Sequence, residues 1–187
     1  MRGINRIGLV VGLLGVFFQV EAQGWLGTSF IHKSPNITYL WRLEDRVNKD
    51  LSQQAFLTYL QASFLTKVKP TLGIGYWSWV DKGKEYRLYQ SVEYKWVRGM
   101  LEERIFENSY NKARARIRLQ LKGELTDESR LIASNEVFFW KSLEHDRFCL
   151  IFQQDVGKVI FDCGYMLYYV GKKESYNVLL ISMIWNI

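Results

Sequence analysis

The chain has 187 residues, a formal charge of +6 and 48% hydrophobic, 16% aromatic residues, with only two prolines, two cysteines and two histidines. Two cysteines exclude a disulfide framework, and His32 and His145 lie too far apart in sequence to form a metal-ligand cluster. No Pro/Gly/Ser-rich stretch divides the chain, so a single domain is expected, and neither a cofactor nor a metal.

The N-terminus reads Met1-Arg2-Gly3-Ile4-Asn5-Arg6, then an apolar run from Ile7 to Phe18, then Val20-Glu21-Ala22. A charged start, a short apolar run and a small residue at the cleavage position predict a signal peptide over residues 1–22. The run is too short for a spanning helix, which needs about 20 apolar residues. Export removes nucleic acid from the partners that the basic charge would otherwise suggest. The domain is expected over residues 23–187.

From Gly24 onward the chain is written in period two. In the stretch from Ile37 to Arg46, Ile37, Tyr39, Trp41 and Leu43 share one face, while Thr38, Arg42, Glu44 and Arg46 share the other. Between Glu85 and Trp96, Tyr86, Leu88, Val92 and Tyr94 oppose Arg87, Tyr89, Ser91 and Glu93. From Lys112 to Lys122 every odd position is apolar and every even one polar, placing Ile117 and Leu119 opposite Arg114, Arg116 and Arg118. Alternation of this kind marks strands and does not fit the helical period of 3.6.

About eleven such runs are separated by polar joints at 48–50, 81–84, 124–129, 142–146 and 171–174. Regular short strands predict an all-β antiparallel up-and-down barrel of ~10 to 12 strands. Because bacterial single-chain barrels are even-numbered, either the Trp25 to Lys33 run lies outside the wall or a long segment such as Gln53 to Thr66 is split.

Three features favour a membrane barrel over a soluble one. Runs of roughly 10 residues match the ~9 to 11 that cross the hydrocarbon. Trp25, Trp77, Trp79, Trp96, Trp140, Tyr168, Tyr169 and Trp185 sit near run ends, as interfacial girdles do. The polar faces mix arginine with glutamate, as a lumen does, whereas a ligand-binding soluble barrel favours an apolar interior. The C-terminal run puts Leu179, Ile181, Met183, Trp185 and Ile187 on one face, like a closing strand that lacks the usual terminal aromatic residue.

Several short motifs carry a resemblance to one family. They are Gly24-Trp25-Leu26-Gly27, Gly73-Ile74-Gly75-Tyr76, Glu85-Tyr86-Arg87, Glu103-Arg104 and Ala113-Arg114-Ala115-Arg116. Further along come Ser134-Asn135-Glu136-Val137-Phe138-Phe139, Asp146-Arg147-Phe148 and Asp162-Cys163-Gly164-Tyr165-Met166. Together they resemble the outer-membrane-type barrels catalogued as domain of unknown function twenty-four ninety. The resemblance implies export to the outer membrane of a Gram-negative-type bacterium, with the lipid bilayer as partner. It implies no catalytic residue, since that family has no assigned reaction.

Arg114, Arg116 and Arg118 lie ~6.6 to 7 Å apart along one strand face, so each adjacent pair repels by about 2.4 kcal/mol at an effective dielectric near 20. Neighbouring strands offer Glu102 and Glu136 as counter-ions, with Glu44 and Glu93 elsewhere. The expected arrangement is a lumenal network of Arg42, Glu44, Arg46, Arg87, Glu93, Glu102, Arg104, Arg114, Arg116, Arg118, Glu136 and Arg147. A small anionic solute is the one soluble partner such a lining would attract.

His145 with Ser142, Glu144 and Asp146 is the one place where a base, a hydroxyl and carboxylates coincide. Hydrolytic chemistry there would need a carboxylate to orient the imidazole. These residue types are also ordinary in turns, so the chain is expected to be non-enzymatic. A lipid-modifying enzyme using His145, or a soluble periplasmic ligand-binding barrel, is the alternative. Gly73-Ile74-Gly75 lacks the following helix of a phosphate loop and reads as wall glycine. Cys149 on the polar face and Cys163 on the apolar face are expected as two free thiols. The sequence sets no oligomeric state.

Overall fold

A computed structural model describes residues 23–47, 53–107, 110–140, 142–170 and 174–187. The expected signal peptide and the joint at 48–50 lie outside the described residues. No helix occurs among them. Eleven strands form one closed barrel in sequence order: β1 Gln23–Lys33, β2 Ile37–Val47, β3 Gln53–Phe64, β4 Lys69–Trp79, β5 Gly83–Tyr94 and β6 Val97–Phe106, then β7 Lys112–Thr126, β8 Ser129–Trp140, β9 Ser142–Val156, β10 Val159–Val170 and β11 Glu174–Asn186.

Three expectations about the wall need correction. The strand number is odd, because the Trp25 to Lys33 run belongs to the wall as β1 and Gln53–Phe64 is a single unsplit strand. The joint at 142–146 is strand, since β9 begins at Ser142 and continues through His145. The sheet is not antiparallel throughout: β1 pairs β11 in parallel, from Gln23 opposite Val178 to Ile31 opposite Asn186. With an odd number of alternating strands the first and last run the same way, so closure requires one parallel pair.

Side-chain parity follows the pleat. On β5 the burial alternates strictly, with Glu85, Arg87, Tyr89 and Ser91 buried between exposed Tyr86, Leu88, Gln90 and Val92. The exposed set is apolar around the barrel, including Leu60 at 52%, Leu72 at 57%, Ile74 at 55% and Leu101 at 56% exposed. The buried set includes Glu44, Glu85, Arg87, Glu102, Arg114 and Glu136. The barrel is therefore inside-out, with grease outside and charge within.

Ala55, Leu57 and Trp77, packed by Tyr59 and Trp79, form a small apolar cluster in the interior, and Phe138 and Met166 are buried elsewhere in the lining. Gly73 and Gly75 explain how aromatic rings lie flat on the inner wall. A Cβ at Gly73 would stand 2.1 Å from Tyr89 Cζ, and one at Gly75 would stand 2.1 Å from Trp77 Cζ3. These wall glycines are where rings and backbone approach closely.

Candidate functional site

Alternation on β2 and β5 to β9 sends every second side chain inward, and the inward positions hold arginine and glutamate. They line an interior cavity of about 440 Å³. A larger depression of about 1470 Å³ lies on the outside, but its walls, such as Leu60, Leu72, Ile74 and Leu88, are mostly apolar. The chemistry is in the smaller, inner space.

Glu102 is the hub, with its side chain 1% exposed. Its carboxylate lies 2.7 Å from Arg114, 3.1 Å from Arg116, 3.6 Å from Arg87 and 3.8 Å from Arg104. Four guanidiniums around one carboxylate leave an excess of positive charge that must be met elsewhere. Glu85 meets part of it, accepting from Arg87 Nε at 2.5 Å and Arg104 Nε at 2.6 Å, while Trp79 Nε1 donates to its other oxygen at 2.9 Å.

Glu136 grips Arg147 and lies 3.5 Å from Arg116. Glu44 holds Arg46 at 2.9 Å and Arg42 at 3.3 Å, and Glu93 reaches Arg118 at 3.6 Å. The register explains these pairs: Glu102 stands opposite Arg114 across β6 and β7, and Arg118 opposite Glu136, itself opposite Arg147, across β7 to β9.

All twelve residues expected in the network thus face inward and share ion pairs. Two members had no place in that expectation. Glu85 is the third residue of β5 and Arg98 the second of β6, each beside a turn. Parity could have found them, since Glu85 shares its face with Arg87, and Arg98 shares its face with Glu102 and Arg104. With them, and with the Arg130–Asp155 pair and Asp162 on inward positions of β8 to β10, the described lining holds ten arginines against five glutamates and two aspartates.

Aromatic rings complete the lining. Arg46 lies 3.7 Å over the Trp25 ring, Arg87 3.9 Å over Trp77, and Arg114 and Arg147 each 4.7 Å from Phe138. Trp25, Trp77, Trp79 and Tyr168 consequently face the lumen and form no outer girdle. Guanidinium stacking on their faces favours that orientation over a seat at a lipid interface. Tyr169, 45% exposed, and Trp185, 39% exposed, do face outward near strand ends.

His145 is buried in the lumen wall, its ring 4.0 Å from Phe138 and 5.0 Å from Tyr168, with Arg114 Nη1 at 3.5 Å. Asp146, next in the strand, points the opposite way and accepts from Asn135 Nδ2 at 2.8 Å. The pleat therefore separates the imidazole from the carboxylate a hydrolytic arrangement would draw on. His32 is at the other end of the barrel, near the Ile187 carbonyl.

Cys149 lines the cavity and Cys163 lies on the outer face, and both thiols are free. Among the described residues, no three His, Cys, Asp or Glu side chains group as metal ligands would. No family model matches the chain, and no curated protein and no solved structure matches it either.

Proposed function

We propose that the chain is an exported outer-membrane β-barrel of a Gram-negative-type bacterium, of the kind its motifs resemble, acting as a non-enzymatic structural component whose basic lumen engages small anions. The observation that carries the reading is the reversal of polarity between the two faces. A closed barrel satisfies every backbone pair without an edge, which is the condition for spanning lipid. An outward apolar band and a charged interior are what such barrels present. The odd strand count departs from the even rule for bacterial barrels, so the reading rests on closure and on the surface and not on the number of strands.

The lumen supports an interaction role more than wide transport. Eleven strands enclose little space, and the arginine side chains with their aromatic partners occupy most of it. The surplus of guanidinium over carboxylate favours anions. Refolding the chain into phospholipid vesicles tests the reading. A folded membrane barrel floats with the vesicles and migrates differently on a gel before and after boiling. Recovery in the soluble fraction as a folded, lipid-free protein would overturn it in favour of the periplasmic barrel.

A further inference from the structure

The charge surplus is not spread evenly. Toward the β5–β6 turn, Arg98 and Arg118 stand directly opposite one another on adjacent strands, on the same inward face. Like charges in that position repel. Arg118 has a partner in Glu93 at 3.6 Å. Arg98 has no carboxylate within ion-pair distance among the described residues; its Nε and Nη2 donate to Ser91 Oγ at 3.0 and 2.8 Å.

Two neighbours add donors. Tyr89 is 9% exposed, and its hydroxyl has no hydrogen-bond partner; the Nε atoms of Arg116 and Arg118 are likewise buried and unpartnered. Arg98 lies within electrostatic reach of Arg116 and Arg118, and Tyr89 within reach of Arg98 and Arg116. All four side chains line the interior cavity. Buried polar groups in native proteins are almost always satisfied. Here the unsatisfied ones are donors that line one cavity, and three guanidiniums share two nearby carboxylates: Glu93, opposite Arg98 across β5 and β6 and 3.6 Å from Arg118, and Glu102, 3.1 Å from Arg116.

We propose that Arg98, Arg116, Arg118 and Tyr89 form a binding site for a phosphate-type oxyanion inside the barrel. Guanidinium forks match the paired oxygens of such an anion, which can accept several bonds from different directions at once. A bound oxyanion would add negative charge beside Arg98 and Arg118, which have Glu93 as their shared carboxylate, opposite Arg98 across β5 and β6 and 3.6 Å from Arg118. The site deepens the anion-binding part of the proposed function and does not depend on the bilayer.

The test is titration of the folded full barrel in detergent with inorganic phosphate at constant ionic strength set by chloride, followed by calorimetry. Saturable binding is expected, weakened at least tenfold by Arg98→Gln and several-fold by Tyr89→Phe. Arg98→Lys keeps the charge without the fork and should weaken it as well, which guards against a variant that simply misfolds. Arg130→Gln, which removes a partner of Asp155 near the rim, should leave it unchanged. Glycerol phosphate as a second titrant separates the sources: binding of both fits a lipid headgroup, and binding of phosphate alone fits a free ion. Absence of saturable binding, or equal binding by wild type and Arg98→Gln, overturns the site. A barrel that binds phosphate yet fails to float with vesicles would keep the site and remove the membrane reading.

Discussion

Glu102 and Glu103 are adjacent carboxylates whose fates the pleat makes opposite, and neutralising each in turn tests the inside-out arrangement directly. Glu102 is 3% exposed with four guanidiniums within 4 Å, whereas Glu103 is exposed on the outer face. At 2.7 and 3.1 Å, and an effective dielectric near 20, the two nearest attractions are about 6 and 5 kcal/mol before desolvation is subtracted. Most of that gain offsets the cost of burying the charges, so the useful magnitude is that of removing one partner from a buried pair, about 3 to 5 kcal/mol. Glu102→Gln should lose that much, because Arg87, Arg104, Arg114 and Arg116 are then left to repel one another. Glu103→Gln should leave stability unchanged or raise it, because it removes a charge from the outer face that meets lipid. The assay is urea-dependent folding into vesicles followed by tryptophan fluorescence, with gel mobility as a second probe. A larger loss from Glu103→Gln than from Glu102→Gln would refute the face assignment.

Two further predictions use the same assay. Leu119, 44% exposed on β7, faces outward, so Leu119→Arg should cost about 2 to 4 kcal/mol near the bilayer midplane. Arg116→Gln on the same strand should cost less, because Glu102 keeps three other guanidiniums; if Leu119→Arg folds like the parent while Arg116→Gln fails, the apolar face is a core. Gly73→Ala should lose about 1 to 3 kcal/mol by overpacking, since its Cβ would enter the Tyr89 ring. Adding Tyr89→Ala should recover part of that loss in a double-mutant cycle, and strictly additive losses would show that the ring is not the obstacle.

Strand positions and faces were legible because both are written in the same period. On β7 the alternation of Ala113, Ala115, Ile117 and Leu119 with three arginines fixes which residues share a face, and the order of strands supplies Glu102 and Glu136 as partners, but which face turns inward is seen only in the closed barrel. What was not legible depended on three dimensions. Trp77 and Trp79 look like girdle residues by position, yet their parity is that of Gly73 and Gly75, and Arg87 and Glu85 on the adjoining β5 with Arg46 on β2 give them a reason to face in. His145 looks like turn chemistry because its neighbours are polar. β9 instead continues through it, and the regular register sets it opposite Phe138, so the two rings meet inside the wall.

The closing seam shows that wall and lumen are one problem. Parallel pairing is slightly weaker per residue than antiparallel pairing, and β1 meets β11 across small inward residues: Gly27 stands opposite Ser182, with Ser29 buried beside them. A Cβ at Gly27 would come within 3.1 Å of Arg42 Nη2 and 3.3 Å of the Ser182 Cβ. The glycine therefore leaves room for the Arg42 guanidinium to lie over the seam from the neighbouring strand. That same guanidinium is held by Glu44, which also holds Arg46 against the Trp25 ring of β1. On the outside, Leu26 opposite Ile181 and Phe30 opposite Trp185 cover the pair with apolar side chains. The odd strand is thus joined by the ion pairs that fill the interior, and a chain whose lumen carried fewer arginines would lose part of what holds its first strand to its last.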